Sequence, residues 1–217
     1  MSDYVIIPAY NEEKHIQEVV RRAKDFTKNV IVVDDGSRDY TPDLAKSEKV
    51  MVLKHAVNMG KGAALKTGCD YALQKGAKRM VVLDADGQHD PAKIPEFLES
   101  LNEVDLVFGY RQLGAGMPLV LRFGNWFINK TTKVLYGLDL RDTQSGYRAF
   151  TAEAYQKMRW QALDYSMESE MICNAGREKL RYKEIPISTI YADKYKGTTV
   201  VDGVKIVIKM MLWRLRK

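Results

Sequence analysis

Over its first half the chain alternates short, almost unbroken apolar runs with stretches of helical spacing. "YVIIP" (4–8), "NVIVVDD" (29–35), "VMVLKH" (50–55), "RMVVLD" (79–84) and "VDLVFG" (104–109) read as strands. Between them, "NEEKHIQEVVRRAKDF" (11–26) reads as a helix with Asn11 as N-cap and Glu12 and Glu13 in its first turn. A short helix starts with Thr41 as N-cap and Pro42 at its first position, and "GAALKTGCDYALQKG" (62–76) is a helix ending at Gly76. Asp90 and Pro91 open another. Strands that are apolar on both faces need helices above and below, which a parallel sheet with helical crossovers supplies. Residues 1 to 110 therefore predict a doubly wound α/β unit with right-handed crossovers.

The second half is less regular. "PLVLRFGNWFINKTTKVLYG" (118–137) has the spacing of a long amphipathic helix, and "DTQSGYRAF" (142–150) reads as a polar turn running into a strand. "MESEMICNAGREKL" (167–180) is helical, "RYKEIPISTIY" (181–191) an extended edge strand that tolerates Pro186, and "VDGVKIVIKMMLWRLRK" (201–217) a basic amphipathic helix. A chain of 217 residues supports one sizeable core, and 46% hydrophobic with 29% charged residues is ordinary for a globular protein. The net charge of +6 suits an anionic partner: nucleic acid, a phosphorylated metabolite or an anionic membrane. Cys69 and Cys173 are far apart and predict buried free thiols. No charged leader precedes a long apolar stretch and no run approaches a membrane span, so a soluble or peripheral, cytoplasmic protein is expected.

In open parallel α/β sheets, ligands bind outside the carboxyl ends of the strands. Four loops lie there: "PAYNEE", "DDGSRD", "NMGKG" and "DADGQHD". In the last, Asp84 ends a strand and Asp86 follows two positions later. If the chain stays extended, both side chains point the same way and require a cation or counter-charge. Asp86 with the amide oxygen of Gln88 is an oxygen-only set that suits Mg²⁺ or Mn²⁺ rather than zinc. Asp90 reads as an N-cap only. A carboxylate in "DDGS" (34–37) is placed to accept from ribose or a base N–H, although Asp-Gly is also turn chemistry. "GKG" (60–62) opens a helix whose N-terminus would face phosphate, but the rest of a Walker motif is missing. His15, His55 and His89 show no metal spacing, and no hydrolase, zinc-protease or dinucleotide fingerprint occurs.

Taken together, "PAYNE" (8–12), "VVDDGS" (32–37), "GKGAA" (60–64) and "DADGQ" (84–88) resemble the family-two, GT-A-fold glycosyltransferases. Within that family the likeness is to dolichyl-phosphate mannose synthases and related polyprenyl-phosphate sugar transferases. "GYR" (109–111), "RFGN" (122–125), "DTQSGYRAF" and "SEMICNAG" (169–176) extend it over nearly the whole chain. The resemblance implies a GT-A (nucleotide-diphospho-sugar transferase) fold: a single domain with a nucleotide-sugar-binding half (1–110), an acceptor-binding half (111–200) and a C-terminal amphipathic helix (201–217). It implies that Pro8, Tyr10, Glu12, Val32 and Asp34, with Asp35 a weaker member, cradle the base and ribose. Asp84, Ala85 and Asp86 would line the diphosphate, Asp86 and Gln88 would hold the divalent metal, and Arg111 would face the diphosphate or sugar. Arg122 and Asn125 would meet the acceptor phosphate.

One segment departs from the family pattern. The closing R-x-x-G-x-S-K is here "KYKGTTV" (194–200), with Lys194 in place of Arg and Val200 in place of Lys. The implied reaction is inversion at the anomeric carbon by a phosphate oxygen, with GDP-mannose the favoured donor and UDP-glucose or UDP-N-acetylglucosamine open. A hydroxyl acceptor would instead need a base, for which Glu168 and Glu170 are the late candidates, Glu170 the better match. The implied partners are a nucleotide sugar, a dolichyl or polyprenyl phosphate, and a membrane surface or membrane-anchored subunit reached through the C-terminal helix or helix 118–137. Nucleic acid is not among them. Competing readings are a saccharide or protein hydroxyl acceptor, a nucleotidyltransferase, and a non-catalytic nucleotide-sugar-binding module.

Overall fold

The computed structural model describes residues 2–111, 119–164, 166–188 and 207–213, with the main chain only for 119–125. In chain order the strands are β1 (Asp3–Ala9), β2 (Val30–Asp34), β3 (Met51–Lys54), β4 (Arg79–Val82), β5 (Leu106–Arg111), β6 (Arg148–Thr151) and β7 (Tyr182–Ile187). The helices are α1 (Ile16–Lys24), α2 (Thr41–Ser47), α3 (Lys61–Gln74), α4 (Ile94–Ser100), α5 (Leu119–Tyr136), α6 (Ala152–Met158) and α7 (Met167–Arg177). Residues 207–213 form α8.

All seven strands join one sheet in the order β3-β2-β1-β4-β6-β5-β7. The pairs β1–β2, β1–β4, β2–β3 and β5–β7 are parallel, while β6 lies antiparallel between β4 and β5. The sheet is thus mostly parallel, and its one reversed strand comes from the "GYRAF" segment. β7 lies on the edge beside β5, where Pro186 is opposite Tyr110.

Successive strand residues enter opposite cores. Ile6, Ile31, Val33, Met80, Val82 and Phe108 pack with α3, α6 and α7. Val5, Ile7, Val30, Val32, Val81 and Val107 pack with α1, α2 and α4. This period-2 division explains why the strands read as continuous apolar runs. A smaller cluster joins α5, α7 and α8 through Ile128, Tyr136, Cys173, Val207 and Met210. Both cysteines are free and buried, and burial pushes the Cys173 thiol up to about 12.

Two helix starts differ from expectation. Asn11 is not an N-cap: it sits in the left-handed region at φ 56°, and α1 begins only at Ile16. Thr41 is already inside α2, whose N-cap is Tyr40. Asp90 does cap, accepting from Ala92 N–H at 3.0 Å over a 3₁₀ turn that leads into α4.

Candidate functional site

The carboxyl ends of β1, β2 and β4 open on one edge of the sheet, and the loops leaving the first two are laced together. Asn11 N–H donates to Ser37 Oγ, and Asn11 Oδ1 accepts from Arg38 N–H, both at 2.9 Å. Glu12 N–H donates to Thr41 Oγ1 at 2.8 Å. The left-handed turn at Asn11, which Asn tolerates better than most residues, makes this lacing possible.

Beneath it Asp34 is wholly buried. Its Oδ1 accepts from Ser37 N–H at 3.1 Å, while its Oδ2 has no hydrogen bond and only the Lys54 ammonium at 4.0 Å. A buried carboxylate oxygen left without a donor is costly, so a group that donates to it is favoured there. Tyr10 is 40% exposed beside this site. Pro8, Val32 and Ala85 are buried, so they shape the floor rather than project into it.

Asp35 serves another purpose. Its Oδ1 lies 2.7 Å from His55 Nδ1 and accepts from Met59 N–H, and its Oδ2 accepts from Gly60 N–H at 2.7 Å. His55 Nε2 in turn lies 3.0 Å from Thr67 Oγ1. Asp35 therefore fixes the loop from His55 to Gly60, and both its oxygens are engaged there. The N-terminus of α3 is likewise occupied. Gly62 and Ala63 N–H both donate to Leu163 O, at 2.8 and 3.3 Å. This corrects the expectation of a phosphate-facing helix end. Gly62 is required by close packing, since a Cβ there would lie 2.3 Å from Ala162 O.

Asp84 is the centre of a buried charge cluster. Lys61 Nζ lies 2.7 Å from Asp84 Oδ1 and donates to Glu168 Oε1 at 2.8 Å. Asp84 Oδ1 is thus held directly by the Lys61 ammonium. Burial alone would push the Lys61 ammonium down, but Asp84 and Glu168 outweigh it and hold the ammonium above its usual range. Burial would likewise raise Asp84, but the Lys61 charge keeps its carboxyl below the usual value. Asp84 N–H donates to His89 Nδ1 at 3.3 Å, and burial holds the His89 imidazole below its ordinary value.

The chain does not stay extended beyond Asp84. Ala85 and Asp86 form a turn, Gly87 has φ 72°, and Asp86 Oδ1 accepts from Gln88 N–H at 3.0 Å. Asp84 and Asp86 thus diverge in role. Among the described residues no group of three or more His, Cys, Asp or Glu side chains is set to enclose a metal. Asp86 and Gln88, two positions apart on this turn, offer a partial, oxygen-only set. Such a set suits a hard divalent cation that takes its remaining ligands from phosphate.

The polar turn 142–147 crosses this edge because β6 must enter between β4 and β5. Gly146 passes so close to Asp84 that a Cβ would lie 2.3 Å from Asp84 Oδ2. Arg111, at the end of β5, donates from Nε and Nη2 to Asp142 at 2.7 and 3.1 Å. Arg148 is buried under the turn, donating to Thr143 O, Ser145 O and Glu168 O. Glu170, expected as the better base, accepts from Gln161 and Ala162 N–H at 3.1 and 2.7 Å and so holds a loop. The side chains of Arg122 and Asn125, in the first half of α5, and the whole of Lys194 and Val200 lie outside the described residues. The sequence reading missed Lys61, Asp142 and Arg148. Lys61 had a local signal, a lone cation between two glycines at a helix start. The other two act through partners distant in sequence.

Residues 4–159 match the family described as Glycosyl transferase family 2. A UDP-N-acetylglucosamine–dolichyl-phosphate N-acetylglucosaminyltransferase of Methanococcus voltae is 35% identical, over 99% of this chain and 96% of the relative. An undecaprenyl-phosphate mannosyltransferase of Micrococcus luteus is 30% identical, over 91% of this chain and 86% of the relative. A glucosyl-3-phosphoglycerate synthase of Mycobacterium tuberculosis, solved with Mn²⁺, UDP-glucose and phosphoglyceric acid, superposes with a TM-score of 0.77 at 20% identity. It covers 98% of this chain and 79% of its own. The sheet order, the strand-end loops and these likenesses agree, and the chain belongs to the family-two glycosyltransferases, with the GT-A fold.

Proposed function

We propose that the chain is a metal-dependent, inverting transferase that moves a hexose from a nucleotide sugar to a polyprenyl or dolichyl phosphate. The observation that carries the acceptor is the engagement of the two late carboxylates. Glu170 holds two backbone N–H groups and Glu168 holds the Lys61 ammonium. A hydroxyl acceptor needs a base, and these groups are already committed. A phosphate monoester, with a second pKa of about 6, brings its own negative charge. Catalysis then rests on alignment and on neutralising the leaving diphosphate.

In this reading residues 1–110 form the donor half, 111–200 the acceptor half and 201–217 a C-terminal helix of one domain. Asp34 accepts from the base or ribose, with Pro8, Tyr10, Glu12 and Val32 around it. Asp84 and Ala85 line the diphosphate, and Asp86 with Gln88 would hold Mg²⁺ or Mn²⁺. Such a cation, when bound, offsets charge on the leaving diphosphate. Arg111 faces the diphosphate or sugar, Lys194 stands in the closing segment, and Arg122 and Asn125 meet the acceptor phosphate. Helical spacing puts positions 122, 125 and 129 on one stripe of α5. Asn129 on that stripe is hydrogen-bonded to Arg141 and Thr143 of the turn segment, which supports that assignment. GDP-mannose and UDP-N-acetylglucosamine are both carried as donors, the first supported by the likeness to the Micrococcus mannosyltransferase and the second by that to the Methanococcus N-acetylglucosaminyltransferase. Exposed Trp126, Phe127 and Val134 on α5 and Ile208, Met211 and Leu212 on α8 support a peripheral site of action on the cytoplasmic membrane face.

The test offers UDP-N-acetylglucosamine, GDP-mannose and UDP-glucose, each with farnesyl phosphate and Mn²⁺ or Mg²⁺. Lipid-linked sugar is expected with one donor, none after EDTA, and a rate lowered about 100-fold or more in Asp86→Ala. Turnover in EDTA overturns the metal assignment. Transfer to free sugars with none to farnesyl phosphate overturns the acceptor.

A further inference from the structure

Four sets of contacts converge on the segment 141–147, from β5, the Asp84 loop, α5 and the buried Arg148. At one end Asp142, only 3% exposed, accepts from Arg111 Nε at 2.7 Å and Nη2 at 3.1 Å, and from Gln144 N–H at 3.1 Å. At the other, Gly146 abuts Asp84. On the outer side Asn129 Nδ2 donates to Arg141 O at 2.7 Å, and Asn129 Oδ1 accepts from Thr143 Oγ1 at 2.9 Å. From below, the buried Arg148 donates to Thr143 O and Ser145 O and, across to α7, to Glu168 O.

Each of these contacts is specific in geometry. A guanidinium that meets a buried carboxylate through two parallel N–H groups has its plane and direction set, which a single contact does not do. An Asn that both donates to and accepts from one segment fixes the rotation of its helix about its own axis. Positions 122 and 125 fall on the same stripe of α5 as Asn129 by helical spacing. We infer that segment 141–147 is the gauge that sets the spacing between the donor and acceptor parts of the site. Asp142 acts as positioning residue for Arg111, and Asn129 as positioning residue for α5. This rests on the polyprenyl-phosphate transferase reading. Neither residue touches substrate in it; each acts through another side chain or helix.

The test measures kcat and both KM values for the full chain, with UDP-N-acetylglucosamine and GDP-mannose as donors and farnesyl phosphate as acceptor. Misplacing a reacting group by an ångström costs about 100-fold. Asp142→Asn is expected to lower kcat by about 10- to 100-fold with donor KM little changed, and to cost nothing further in an Arg111→Ala background. Asn129→Ala is expected to raise KM for farnesyl phosphate while leaving donor KM in place. Equal losses from Asp142→Asn with and without Arg111 overturn the inference, as does a parallel rise of both KM values in Asn129→Ala. Full activity of Arg111→Ala overturns both the role of Arg111 and the positioning by Asp142. If none of UDP-N-acetylglucosamine, GDP-mannose and UDP-glucose is turned over by the wild type, the proposed reaction fails. The positioning claim is then read on binding, where equal farnesyl phosphate affinity in wild type and Asn129→Ala overturns it.

Discussion

Lys61 sits between two carboxylates that come from opposite sides of the site, Asp84 after β4 and Glu168 on α7. Its removal leaves two buried negative charges facing each other. Lys61→Met is therefore expected to destabilise the fold by about 3 kcal/mol, measurable as a lower urea midpoint. A Lys61→Met, Glu168→Gln pair should recover part of that loss, because one of the stranded charges is gone. Gly146→Ala tests the same neighbourhood from the backbone. Its methyl group has no room beside Asp84 Oδ2, so Asp84 must shift against Lys61, and both donor affinity and the melting temperature should fall. The motif residues that read correctly from sequence are those whose job is local, such as Asp90 capping its own turn. Asp34 was legible as the last residue of β2, whereas the engagement of Asp35 with the following loop was not. Nothing in "DDGS" tells which of two adjacent acids turns toward the loop at Met59 and Gly60, because that depends on which face of the sheet the loop occupies.

Among the elements, β7 shows how an edge strand is held. Arg181, just before it, donates from its backbone N, Nε and Nη2 to Asp105, just before β5. The hydrogen bonds from Arg181 hold the Asp105 carboxyl below its usual value. A depressed carboxylate contributes stability above its unfolded value of about 3.9, and that contribution is lost as pH falls through the lower folded value. Asp105→Asn should therefore lower the urea midpoint at pH 7, and the gap to wild type should close near pH 2. A gap that persists in acid would mean the loss comes from packing instead. The five early strands and the crossover helices were legible because burial on both faces writes a continuous apolar run into the central ones, and the edge strand β3 keeps a shorter one. The reversed strand β6 was legible as a strand, but its place between β4 and β5 was not. Local pattern records how a segment is buried, and not which neighbour it pairs with. The start of α1 was misread for a similar reason: Asn11 suits an N-cap, but tertiary lacing to Ser37 and Arg38 captures it first.

At the scale of the whole molecule, the apolar residues on α5 and α8 and the net charge of +6 meet in one expectation. Among the described residues no helix is long and apolar enough to cross a membrane. Association by partly inserted side chains, strengthened by anionic lipid, is one route to the proposed lipid acceptor. The full chain should co-sediment with phosphatidylglycerol vesicles more than with phosphatidylcholine vesicles, and the Ile208→Ser, Leu212→Ser variant should lose most of that binding. Retained binding in the variant would remove α8 from the contact. The sheet order has a separate consequence, for synthesis. β4 and β5 are made early, yet the strand that joins them is β6, and the outer neighbour of β5 is β7, which is later still. Before β6 is made, the nascent chain carries one open edge on β4, both edges of β5 unpaired, and all four glycosyltransferase motifs without a finished sheet. A fragment ending at residue 110 should accordingly need a chaperone to stay in solution, whereas one that includes β7 should not.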